Sequence, residues 1–113
     1  MPSNRLPKSS LSQVAFVHDY IQLTFEDEVL SLYNSVVVKT PRAEFKHGSA
    51  GFADAIVSLI GRTVGKVSSS SEHAIELQFE CGTRVRALRT TSDNRPESFT
   101  FHAHNGDIVA GQN

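Results

Sequence analysis

The chain has 113 residues, with 11 Lys and Arg against 12 Asp and Glu, one Cys and no Trp. One cysteine excludes an intramolecular disulfide framework and a cysteine-only zinc cage. The near-zero balance argues against a dedicated nucleic-acid binder, which shows a basic excess, and no apolar run approaches the roughly 20 residues of a membrane-spanning helix.

Leu, Ile, Val and Phe make up about 27% of the residues, above the roughly 20% below which disorder is expected. Composition therefore describes one small domain with a single modest core. Residues 1–12 are polar, contain Pro2, Pro7, Arg5 and Lys8, and lack the apolar stretch of a signal peptide. They read as a flexible tail, with a single α+β domain over 13–113 in a cytoplasmic protein.

From His18 to Phe25 the residues alternate, Ile21, Leu23 and Phe25 facing one way, which is the period of a half-buried strand. Glu26-Asp27-Glu28 interrupts, and Leu30 and Leu32 resume the alternation. A turn at Asp27-Glu28, or a loop over Glu26–Val29, places Phe25 opposite Leu30 and Leu23 opposite Leu32. Val36-Val37-Val38 is a β-branched strand continuing that face, ended by Pro41, which has no N–H for a ladder. Pro41 to Gly51 reads as a polar connection.

Phe52, Ala55, Ile56, Leu59 and Ile60 then form a helical stripe. Ser49 is the expected N-cap and Gly61 the expected stop. A short strand follows over Arg62–Ser68, and Ser68 to Ser71 is a solvated turn. Ile75, Leu77 and Phe79 alternate up to Glu80-Cys81-Gly82. A three-residue loop there sets Leu77 opposite Val85 and Glu76 opposite Arg86, with Gly82 in the left-handed conformation such loops require. Thr90–Glu97 is a loop. Phe99 and Phe101 face the core, and Asn105-Gly106 is a two-residue hairpin turn that places Ala103 opposite Ile108. The sum is an α+β fold, an antiparallel, curled sheet of six or seven strands with one main helix packed on it.

His102 and His104 share one strand face, a geometry suited to two metal ligands. A catalytic zinc needs a third protein ligand, for which His18, His73 and Asp107 are candidates without a placement. Exposed strand histidines explain the pair more simply. Gly61 to Val67 resembles a phosphate loop but has the wrong glycine spacing and Val67 where a Ser or Thr would bind magnesium. Cys81 falls on a hairpin loop without a cation cluster to activate it. Arg84, Arg86 and Arg89, extended by Arg62, Thr63 and Lys66, form a candidate phosphate patch, but it lacks interleaved aromatics. The sequence therefore calls for no enzyme, no cofactor and no metal.

Three runs, Tyr20-Ile21-Gln22-Leu23-Thr24-Phe25, Leu59-Ile60-Gly61-Arg62-Thr63-Val64 and Ile75 to Val85, together resemble small bacterial proteins of uncharacterised function over about residues 18–110. These in turn resemble immunity proteins of bacterial toxin systems, including contact-dependent growth inhibition. Cys81 departs from the pattern, since an acidic residue is commoner at that turn. The resemblance supplies no catalytic residue. It implies a protein that binds a cognate toxin, such as a nuclease, and occludes its active site.

Charge distribution gives that implication candidate contacts. Residues 1–40 hold three basic and four acidic side chains, 41–66 four and two, and 67–113 four and six. The acids fall at hairpin positions, so Glu26, Asp27 and Glu28 at one tip and Glu72, Glu76 and Glu80 on the second hairpin are the expected partner-binding residues, suited to a basic nuclease. Two alternatives stand beside this: an enzyme binding a metal or small ligand through His102 and His104, and a homo-oligomeric module using an exposed sheet edge or Val36–Val38.

Overall fold

A computed structural model describes residues 9–17, 20–26, 28–33, 35–70, 73–88, 97–102 and 108–112. In chain order its elements are β1 (Gln13–Val17), β2 (Tyr20–Phe25), β3 (Glu28–Leu32), β4 (Val36–Lys39), β5 (Glu44–Lys46), α1 (Phe52–Val57), β6 (Val64–Ser68), β7 (His73–Phe79), β8 (Arg84–Leu88), β9 (Glu97–His102) and β10 (Ile108–Gln112). They form not one curled sheet but two five-stranded antiparallel sheets, in the orders β1-β2-β3-β9-β10 and β5-β4-β8-β7-β6. The chain passes to the second sheet between β3 and β4 and returns between β8 and β9.

The reason for two layers lies in the alternation. Each sheet buries one face, and two such faces satisfy each other. Ile21, Leu23, Phe25, Leu30, Leu32, Phe99 and Phe101 from the first sheet join Val36, Val38, Val64, Val67, Leu77, Phe79, Val85 and Ala87 from the second in one buried cluster. Phe52, Ile56 and Leu59 enter it from the helical segment. That segment packs against β1, β4 and β5. Since β1 and β5 are both edge strands, α1 closes one side of the two-layer stack.

The helix is shorter than its apolar stripe. It ends at Val57, after which Leu59 N–H bonds Ile56 O and Ile60 N–H bonds Val57 O, the tighter i→i−3 pattern. The winding change turns Ile60 out of the core, leaving it 44% exposed. Gly61 does take the left-handed conformation, with φ 92°. The expected N-cap, Ser49, instead donates its hydroxyl to Lys46 O and accepts from Lys46 N–H. Gly51 is the N-cap, at φ 88°. A methyl added at Gly51 would lie 2.8 Å from Phe45 Cε1, whereas at Gly61 nothing lies within 4 Å. Gly61→Ala should therefore cost only the left-handed penalty, about 1–2 kcal/mol. Gly51→Ala should cost measurably more in urea denaturation, because it adds steric overlap to the same penalty.

Several registers differ from those expected. Leu23 opposes Leu30 and Phe25 opposes Glu28, so the β2–β3 pairing is shifted by two and the turn is centred one residue earlier than Asp27-Glu28, with Glu26 at φ 58°. A shift of two keeps every side chain on its face. In β9–β10, Ile108 opposes His102, not Ala103, and the Asn105-Gly106 turn lies outside the described residues. The β7–β8 hairpin has the expected register, Leu77 opposite Val85 and Glu76 opposite Arg86, with Gly82 at φ 95°.

Part of the expected tail belongs to the fold. Leu11 is 1% exposed, its N–H bonds Arg62 O at 2.9 Å, and its carbonyl accepts from Gly61 N–H at 2.7 Å. Residues 1–8 lie outside the described residues. The Pro41–Gly51 connection contains β5, and β1 extends the first sheet beyond the alternation that begins at His18.

Candidate partner-binding surface

Of the six acids expected to contact a partner, four are described, two at the β2–β3 hairpin and two at the β7–β8 hairpin. Glu26 is exposed at the β2–β3 turn of the first sheet. Glu28 is 3% exposed and sits opposite Phe25 on the core-facing side, so the expected solvated tip ends at a buried carboxyl. Glu76 lies on the second sheet, where Arg86 Nε donates to its Oε2 and the two side chains are each 18% exposed. Glu80 is exposed at the β7–β8 turn. Asp27 and Glu72 lie outside the described residues.

Of the expected histidine set, one side chain is described. His102 is exposed on β9, while His104, His18 and Asp107 lie outside the described residues. Among the described residues no three His, Cys, Asp or Glu side chains are placed to hold a metal ion. Cys81 is an exposed free thiol. Val36–Val38 cannot serve as an oligomer contact, because β4 lies inside its sheet and all three valines are buried. No helix of the described residues is long and apolar enough to cross a membrane.

What the strands do bring together is positive charge. On β4, Val36 and Val38 point into the core, so Val37 and Lys39 point outward. The same parity and the pairings place Glu44 and Lys46 of β5, Arg84 and Arg86 of β8, Glu76 and Gln78 of β7, and Lys66 and Ser68 of β6 on that outer face. One row across the sheet reads Glu44, Lys39, Arg84, Gln78, Lys66. The next reads Lys46, Val37, Arg86, Glu76, Ser68. Five cations thus share the face with two carboxylates, one of which is bonded to Arg86. Lys39, Lys46 and Lys66 are exposed.

Lys39 and Arg84 are direct cross-strand neighbours. Like charges directly opposite one another across two strands are destabilising. Glu44, on the far side of Lys39, offsets part of this. Arg86–Glu76 is a partly exposed pair of modest worth. Glu76→Gln should lower stability by no more than about 1 kcal/mol in chemical denaturation.

The outer face of the first sheet has the opposite character. Its described positions are Gln13, Ala15, Val17, Tyr20, Gln22, Thr24, Val29, Ser31, Tyr33, Thr100 and His102, none of them Lys, Arg, Asp or Glu. Tyr20 and Tyr33 meet edge to face at 5.5 Å, and the hydroxyls of Tyr33 and Thr100 are hydrogen-bonded at 2.8 Å. Gln22 Nε2 donates to Ser31 Oγ at 3.5 Å. Val17, on this face, is 41% exposed, and Phe16, on the opposite side of β1, is 49% exposed.

Of the surface cations, Arg84, Arg86 and Lys66 were legible as a patch from the sequence. Arg89 lies outside the described residues, and Arg62 and Thr63 precede β6 rather than belonging to a strand. Lys39 and Lys46 were missed. Their only sequence signal is a position one step out of phase with Val38 and Phe45, which means nothing until β4 is known to pair with both β5 and β8. Compared with protein-family models, with curated proteins and with solved structures, the chain matches none.

Proposed function

We propose that this chain acts by binding a partner protein, and that it does so as an immunity protein, occluding the active site of a cognate bacterial toxin. The observation that carries the binding reading is the segregation of charge. One sheet presents an uncharged face bearing two tyrosines, the other a basic face, and both are flat strand surfaces of the kind proteins use to meet one another. The toxin part rests on the resemblance of the Tyr20–Phe25, Leu59–Val64 and Ile75–Val85 runs to immunity proteins, with the cytoplasm as its natural setting. Charge complementarity to a basic nuclease is not among its supports, because among the described residues it is cations that share a sheet face.

Co-expression with the product of the neighbouring gene tests this. The reading expects growth rescue of cells making that product and copurification of the two chains. Copurification without growth rescue would leave a binding protein but remove the toxin. The absence of both would remove the proposal.

A further inference from the structure

We propose that the outer face of the second sheet is a docking surface for an acidic protein surface, with Lys39, Arg84 and Lys66 as its principal contacts. This rests on the partner-binding reading above and adds to it the face and the sign of the partner's charge.

Two features support it. The first is concentration: in a chain of net charge −1, five cations and two carboxylates share one sheet face, a net excess of positive charge, while the described outer face of the other sheet carries no Lys, Arg, Asp or Glu. The second is the Lys39–Arg84 cross-strand pair, an arrangement unfavourable in the free protein that an incoming carboxylate converts into an attraction.

Acidic protein is favoured over nucleic acid by what the face lacks. Of the residues there whose side chains are described, Glu44, Lys46, Val37, Lys39, Arg84, Arg86, Leu88, Glu76, Gln78, Lys66 and Ser68, none offers an aromatic ring on which a base would stack.

The test compares two variants of equal charge, K39Q/R84Q on the face and R42Q/R62Q off it. Poly-L-glutamate and a single-stranded thymidine oligonucleotide serve as probes, with binding followed by fluorescence anisotropy at low salt. The expected result is wild-type binding to poly-L-glutamate, weakened at least about tenfold by K39Q/R84Q and less than about twofold by R42Q/R62Q. Equal losses in the two variants, no binding of poly-L-glutamate to wild type, or tighter binding of the oligonucleotide would each overturn the proposal, the last in favour of nucleic acid. Circular dichroism checks the fold, and K39Q alone, at an exposed site, serves if the double variant does not fold. A copurified partner retained in full by K39Q/R84Q would remove this surface while leaving the binding reading intact.

Discussion

Phe79→Ala should destabilise the domain by about 3–5 kcal/mol, lowering its melting temperature by about 12 °C or more. Phe79 is 1% exposed, stands opposite Val64 of β6, and donates its N–H to Thr83 O at the base of the β7–β8 hairpin. Its ring belongs to the cluster that joins the two sheets. Truncation removes the transfer free energy of the ring and leaves a cavity that the rigid strands cannot close. Typical domains have only about 5–15 kcal/mol in total, so this one change consumes much of the margin. Phe79→Leu, which retains most of the volume, should cost less than half as much. Thermal unfolding followed by circular dichroism reads both, and equal small losses would mean that Phe79 does not sit in a shared core.

Leu11→Ala should cost about 2–5 kcal/mol, although Leu11 falls in a stretch whose composition reads as a tail. Its side chain is 1% exposed, and its backbone is tied to Gly61 and Arg62. These two bonds join the start of the first sheet to the turn after α1, where the stack is closed. Ser12 continues the attachment, its N–H and hydroxyl both donating to Thr24 O and its Oγ accepting from Glu26 N–H. Were residues up to 12 an unattached tail, the substitution would change stability by less than about 0.5 kcal/mol. Urea denaturation separates these outcomes.

The sequence was most readable where a local constraint fixed the chain. Gly82 can take φ 95° at no steric cost, and that requirement selected the three-residue loop and hence the whole β7–β8 register. The β2–β3 register was less determined. Three adjacent acids interrupt the alternation, and Glu28 looked like a turn residue when it is in fact the first residue of β3, opposite Phe25. The faces survived because the error was even. The β9–β10 register differs by one, Ile108 pairing with His102 rather than Ala103, which does change faces.

What local periodicity does not contain is partner choice between strands. The pairings β3–β9 and β4–β8 join segments more than forty residues apart, and they decide that there are two sheets. β1 carries no period-two signal because Val14-Ala15-Phe16-Val17 is an unbroken apolar run. The helix was overextended because a stripe of period 3.6 does not reveal that the winding tightens after Val57. The candidate surface was illegible for the same reason as the sheets: Lys39, Arg84 and Lys66 become neighbours only through the β4–β8–β7–β6 order.

Register is therefore the central claim, since a one-residue slip of β4 or β8 would send the cations of the outer face into the core. Cross-strand nuclear Overhauser effects measure it directly in the intact protein. The account predicts backbone contacts pairing Val38 with Val85, Leu77 with Val85 and Leu23 with Leu30, with side-chain contacts from the Phe79 ring confined to core residues. Contacts pairing Val37 or Lys39 with Val85 would contradict it, and with it the basic face on which the proposed partner contact rests.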